Sequence, residues 1–134
     1  MIGTTSHDVM PPLLYSMAKG WCKAQETPSY LWFFYRNLPG VDLGAWHSAD
    51  LWYWFGTLDN CWRPFTEKDY KLSEEMTDRL CAFAKTSDPN ADGYVKWNIG
   101  GARALVMGDN DTTEANPSSL KLWVTMFTNK APGE

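Results

Sequence analysis

The sequence YLWFFY at residues 30–35 is an unbroken run of aromatic and aliphatic side chains. The run has the length of a β-strand and shows no alternation of apolar and polar residues, so we expect a strand that is buried on both faces. Such a strand is typical of a parallel sheet that lies between layers of helices. The run therefore predicts an α/β fold.

On both sides of this strand the chain alternates between helical spacing and short breaks. Apolar residues three and four positions apart predict helices, whereas clusters of proline, glycine and polar residues predict loops. In chain order we expect a strand ending at Met1–Ile2, a polar exit over 3–6, a helix over 13–25 with Leu13, Leu14, Met17, Ala18 and Trp21 on its apolar face, a loop over 37–44, a short helix within 48–56, a helix over 67–86 capped by Thr66, a strand at 104–107, a polar loop over 109–119 and a helix over 120–127. This order predicts a single segment, residues 1–134, with two to three strands and flanking helices.

Composition excludes several classes of protein. A chain of 134 residues with 44% apolar and 21% charged residues is neither disordered nor collagen-like. The net charge of −4, without a basic cluster, argues against nucleic acid as a partner. No apolar run approaches the roughly 20 residues needed to cross a membrane. The start of the chain has no basic region followed by an apolar stretch, so no signal peptide is visible and a cytoplasmic protein is expected.

Aromatic residues are unusually frequent. The chain contains eight Trp, six Tyr and six Phe among its 134 residues. We expect some of these rings to face a pocket, a partner or a further piece of protein, because each can bury a large area. The three cysteines show no metal-ligand spacing and are expected to be free thiols. Neither a metal nor a cofactor is predicted.

Three stretches of sequence carry a family resemblance. They are GAWHSADLWYWFG at residues 44–56, an LS…M…FAKTSDPN…W pattern between Leu72 and Trp97, and GTTSHD at residues 3–8. In this order they resemble the C-terminal part of the type B carboxylesterases and cholinesterases, a family of α/β-hydrolases. One departure is Ser87, which stands where the family usually has Gly.

The resemblance implies a partial α/β-hydrolase fold and ester cleavage by acyl transfer. It assigns His47 as the catalytic base and Asp8 as the acid of a serine triad, with Asp8 at a position that is usually Glu. Asp50 is either a carboxylate that supports the His47 loop or an acidic residue at the start of a helix. Trp46 and Trp52 either line an ester-binding cleft or lie in the core or at an interface.

The position of the two catalytic candidates follows from the fold. Asp8 comes directly after one strand, and His47 lies in the loop after the next. Ligands of open α/β sheets bind at the carboxyl ends of the strands, so both side chains are expected at one edge of the sheet. His7, beside Asp8, is expected to be an exposed turn residue.

The nucleophile is the part of the triad that the sequence lacks. None of the eight serines stands in a G-x-S-x-G motif, and no Gly-rich oxyanion segment occurs. The chain is thus expected to be a C-terminal esterase fragment, inactive alone, whose parent acts on a small ester. Its expected partner is the missing N-terminal portion or a second copy, bound through residues 30–35 or 52–55. The alternative is a non-catalytic, aromatic-rich module that binds a partner or a carbohydrate.

Overall fold

A computed structural model describes residues 1–128 and shows a four-stranded mixed sheet with helices on both faces. The strands are β1 (Ile2–Thr5), β2 (Leu31–Phe34), β3 (Ala104–Met107) and β4 (Thr113–Ala115). The helices are α1 (Pro11–Ala24), α2 (Leu51–Trp54), α3 (Glu67–Thr86) and α4 (Ser119–Thr128). Strands β1, β2 and β3 run parallel, and β4 pairs antiparallel to β3. The α/β prediction is confirmed, with one strand more than expected.

Strand β2 is buried on both faces, as its sequence predicted. Leu31 and Phe33 point into a core formed with α1 and α4. Phe34 points into a larger core on the opposite face, formed with α2 and α3. Both neighbouring strands pair with the backbone of β2, and within residues 30–35 every side chain except that of the half-buried Trp32 is buried. The expectation that this stretch lies at or near a contact between copies stays a prediction.

Strand β1 extends through residues that the sequence suggested were a polar exit. Its register pairs Ile2 with Leu31 and Thr5 with Phe34. Gly3 is required within the strand, because a Cβ at this position would lie 2.2 Å from the Trp32 ring. Small residues in β1 therefore leave room for the large side chains of β2.

Helix α1 begins earlier than predicted and presents a different face. Two prolines open it, which is favourable because the first backbone N–H groups of a helix have no intrahelical partner. Its buried residues include Tyr15, Ala18 and Cys22. Met17 and Trp21, which we assigned to the apolar face, are 62% and 47% exposed.

Helix α3 agrees with the prediction at both ends. The Thr66 backbone N–H and hydroxyl both donate to one oxygen of Asp69, each at 2.8 Å. Leu72 and Met76 are buried against the larger core. In contrast, strand β4 lies within the predicted loop over 109–119. The sequence did not indicate it, because β4 pairs with β3 through its backbone and contains no apolar run.

Cys22, Cys61 and Cys81 are free thiols, and Cys22 is buried. Among the described helices, none is both long enough and apolar enough to cross a membrane.

Candidate active site

Asp8 and His47 meet at the carboxyl edge of the sheet, beyond the ends of β1 and β2. The pairing of these strands continues past their ends, since the Ser6 N–H donates to the Phe34 carbonyl at 2.8 Å. The His7 N–H then donates to the Ala45 carbonyl at 2.9 Å. This extended pairing brings the turn after β1 beside the loop that carries His47.

The two side chains form a direct contact. His47 Nδ1 lies 3.0 Å from Asp8 Oδ1 and 3.1 Å from Oδ2. The Val9 backbone N–H donates to the same Oδ1 at 2.7 Å, which orients the carboxylate. The Asp8 side chain is 12% exposed, whereas that of His47 is 78% exposed. A carboxylate at Nδ1 favours a proton on that nitrogen, and it leaves Nε2 as the basic atom on the exposed side.

The backbone of the His47 loop has a conformation that glycine makes possible. Gly44 has φ +62°, in the left-handed region. Its N–H donates to the Asn37 side-chain oxygen at 3.1 Å. Asn37 in turn donates to Asp42 at 2.7 Å, so one side chain connects both ends of the turn. Ser48, directly after His47, also has a positive φ of 68°.

Asp50 follows His47 by three residues and is buried. It is 6% exposed and precedes α2, but its side chain makes no capping hydrogen bond to that helix. Burial raises its pKa, against the lowering effect of a hydrogen bond from the Trp54 side chain. The negative charge of Asp8 raises the pKa further and the charge of His47 lowers it. Asp50 is therefore within electrostatic range of both candidate residues.

The two tryptophans proposed for a cleft pack against each other. The Trp46 and Trp52 rings meet edge to face, with centroids 6.2 Å apart, and both contact the larger core. Arg63 stacks on Trp46 at 4.6 Å and donates to the Pro39 carbonyl at 2.7 Å. These contacts anchor the loop around His47. A role for Trp46 and Trp52 in binding an ester stays a prediction.

His7 differs from its prediction as an exposed turn residue. Its side chain is half-buried, and Nδ1 lies 2.9 Å from the Ser6 hydroxyl. The ring also hydrogen-bonds to the backbone of Met126 in α4. Burial lowers the pKa of His7, which favours the neutral imidazole. The sequence offered no sign of these contacts, because Met126 and Gly44 are distant along the chain.

A buried ion pair supports the same end of the sheet and was not predicted. Arg36, just after β2, places Nε 2.7 Å from Asp69 Oδ1 and a second nitrogen 3.1 Å from Oδ2. Its remaining nitrogen binds Asp109. Tyr53 also donates to Asp69, at 2.7 Å. Burial raises the pKa of Asp69, but its hydrogen bonds, above all with Arg36, outweigh this and lower it to about 2.

Metal ligands do not cluster at this edge. Within residues 1–128, no group of three or more His, Cys, Asp or Glu side chains is arranged to hold a metal ion.

The arrangement of this site can be compared with known proteins. The sequence model of the carboxylesterase family matches residues 9–116. That match includes His47 but begins at Val9, directly after Asp8. The contact between Asp8 and His47 is therefore an observation from the structure alone. No curated protein matches the chain.

Three solved esterases are similar in structure. A PNB esterase shares 22% identity with a TM-score of 0.67, over 86% of this chain and 25% of its own. An esterase from Clostridium hathewayi, described as hydrolysing aliphatic aromatic polyesters, shares 22% with a TM-score of 0.63, over 72% and 20%. The juvenile hormone esterase from Manduca sexta shares 19% with a TM-score of 0.54, over 86% and 26%. The chain thus spans a fifth to a quarter of these proteins and shares their fold.

Proposed function

The chain belongs to the carboxylesterase family, and from this premise we propose that it supplies the acid and the base of a serine ester hydrolase. The observation that carries the proposal is the contact between His47 Nδ1 and the Asp8 carboxylate at 3.0 Å. The parent protein would cleave a small carboxylic ester by acyl transfer. The nucleophilic serine would come from a part of the parent outside these 134 residues.

The chemistry assigns a role to each atom of the pair. A serine hydroxyl is a weak nucleophile until an adjacent base accepts its proton. His47 Nε2 would accept that proton and return it to the leaving alcohol. Asp8 would keep the other proton on Nδ1 and stabilise the imidazolium formed during the reaction. The low exposure of Asp8 strengthens this interaction, because screening by water is reduced.

The lack of a G-x-S-x-G motif in the sequence supports the proposal that the chain alone has no nucleophile. Ser48, the next residue after His47, is not proposed as the nucleophile. In a triad, the serine hydroxyl contacts Nε2 of the histidine, and the serine comes from a different segment of the chain. We propose that the isolated chain forms no acyl-enzyme, and that residues 1–134 are one segment of a single α/β-hydrolase domain.

The purified chain is expected to show no serine acylation by a fluorophosphonate probe. The reason is that covalent labelling requires a nucleophile next to the base. Intact-mass spectrometry before and after incubation measures the labelling, with an active serine esterase as the positive control. Stoichiometric labelling that disappears in the His47→Ala chain would contradict the proposal, because it would reveal a complete triad.

Complementation provides the test of the esterase function itself. The chain is mixed or co-expressed with the preceding portion of an esterase that carries its own serine but ends before its acid. Recovery of p-nitrophenyl ester hydrolysis, and its loss with His47→Ala or Asp8→Ala, supports the proposal. A stable complex that remains inactive with the unmutated chain would oppose it.

We also propose that the isolated chain associates with a second copy through the edge of β1. Within the described residues, β1 pairs only with β2, so its other edge is open. A groove of about 370 Å³ borders this edge and is lined in part by Ile2, Met17 and Trp21. Two such edges can pair about a two-fold axis, and the net charge of −4 opposes this only weakly.

Sedimentation at micromolar concentration is expected to show a dimer. Met17→Lys, on the exposed side of α1, should shift the chain towards the monomer by placing a charge beside the open edge. Phe55→Lys is the matched control, because Phe55 is 63% exposed but follows α2 on the other face of the sheet. If the wild-type chain sediments as a compact monomer, it does not associate through the β1 edge. If Phe55→Lys abolishes the dimer and Met17→Lys does not, the contact lies elsewhere than at this edge.

A further inference from the structure

His7 belongs to the turn that carries Asp8 and lies against the loop that carries His47. Its backbone forms an isolated parallel bridge with Trp46, the residue before His47. Its ring lies directly against the backbone of Gly44. A Cβ at Gly44 would come within 2.2 Å of two ring atoms of His7, Cε1 and Nδ1. The separation of the two loops is therefore set by contact between the imidazole and a residue that has no side chain.

Contacts with Ser6 and with the backbone of α4 orient this imidazole. Nδ1 lies 2.9 Å from the hydroxyl of Ser6, a fully buried residue. The backbone of Met126 in α4 also forms a hydrogen bond with the ring.

The charge state of His7 agrees with this arrangement. Burial is the main influence on its pKa and lowers it, while the Met126 carbonyl and the negative charge of Asp42 raise it. A neutral ring accepts a hydrogen bond at Nδ1 and donates one at Nε2. A serine hydroxyl can donate to the first nitrogen, and a backbone carbonyl can accept from the second.

We propose that His7 is a positioning residue, whose ring packs against Gly44 and thereby holds His47 Nδ1 at hydrogen-bonding distance from Asp8. The inference rests on the proposed function of that pair. The Asp8 carboxylate contacts Nδ1 of His47, whereas the His7 ring contacts Ser6 and Gly44. Its contribution is geometric: it joins β1, the His47 loop and α4 at one point.

The tautomer of His47 provides a readout that general stability does not affect. His7 and His47 are the only two histidines, so long-range proton–nitrogen NMR correlations of the ring are unambiguous in the folded chain. In the unmutated chain, Asp8 is expected to make the Nδ1-protonated tautomer of His47 predominant. Asp8→Ala defines the value without the contact.

Replacing His7 is expected to move His47 towards the Asp8→Ala value. His7→Ala removes the ring and both hydrogen bonds, and should produce at least half of the full shift in tautomer population. His7→Phe keeps a ring against Gly44 and should produce a smaller shift; it also provides the test if His7→Ala does not fold. Val9→Ala is the matched control, because this neighbour of Asp8 is 76% exposed and its backbone N–H is retained.

The outcomes separate the inference from the proposed function. If Asp8→Ala shifts the tautomer but the folded His7 variants do not, the positioning role is overturned while the catalytic pair stands. If Asp8→Ala itself has no effect, the pair does not exist in solution and both proposals fail. A shift with His7→Ala equal to that with Val9→Ala would also overturn the positioning role.

Discussion

Replacing His47 by alanine in an esterase that contains this chain is expected to lower kcat on the order of 10⁴-fold or more, with the fold retained. The large effect follows from the proposed role of Nε2, because no other imidazole in the chain is placed to accept the serine proton. The His47 side chain is 78% exposed, so its removal leaves no cavity in the core. Steady-state hydrolysis of a p-nitrophenyl ester measures the change in kcat.

A control within the same loop distinguishes loss of the base from disturbance of the loop. Val41→Ala changes a 43% exposed side chain between β2 and His47 and should leave kcat within about twofold. Thermal unfolding of the His47→Ala protein should match that of the parent. A decrease of less than roughly tenfold would mean that another group acts as the base.

Replacing Asp69 by alanine is expected to reduce the free energy of unfolding by about 3–5 kcal/mol. The variant leaves the Arg36 guanidinium, which is 13% exposed, without its main partner. It also removes the acceptor for Tyr53 and Thr66, so four hydrogen-bonding groups lose a partner at once. Urea unfolding followed by tryptophan fluorescence measures the loss.

The matched control for Asp69 lies two residues away on the same helix. Glu67 pairs with Lys71 at 2.7 Å, but both side chains are largely exposed. Because exposed ion pairs contribute little, Glu67→Ala should leave the free energy of unfolding nearly unchanged. Equal effects of the two substitutions would show that the buried network does not carry the stability assigned to it.

The same carboxylate predicts a pH dependence of stability. The pKa of Asp69 in the folded chain is about 2, below its ordinary value of 3.8. The folded state therefore binds fewer protons than the unfolded state between these values. The stabilisation is fully present above about pH 5 and is lost as the pH falls towards 2. In the Asp69→Ala variant, this part of the acid sensitivity should disappear.

The sequence was sufficient to predict the parts of the site that depend on local pattern. The apolar run at 30–35 identified a strand buried on both faces, and the turn after one strand and the loop after the next placed Asp8 and His47 at one edge. The capping residue Thr66 and the spacing of Leu72 and Met76 defined α3. These features follow from neighbouring residues, which a sequence shows directly.

The features that were missed depend on contacts between distant residues. His7 and Arg36 have neighbours typical of a turn and a strand end, and their partners Met126, Asp69 and Asp109 lie far along the chain. In α1, two apolar stripes compete, and the buried stripe contains Tyr15 rather than Met17 because the sheet lies on that side. Helical spacing alone does not say which stripe faces the sheet.

The order of the strands has a consequence for how the chain acquires its structure. Trp32 in β2 pairs with Gly3, which precedes it closely, but its other partner, Leu105, follows about 70 residues later. Closing so long a loop costs entropy before the new pairs can compensate for it. During synthesis on the ribosome, Asp8 and His47 emerge well before β3 does. The nascent chain therefore holds its most apolar strand unpaired on one side until β3 has emerged, and it is during this interval that this strand is most exposed to misfolding and aggregation.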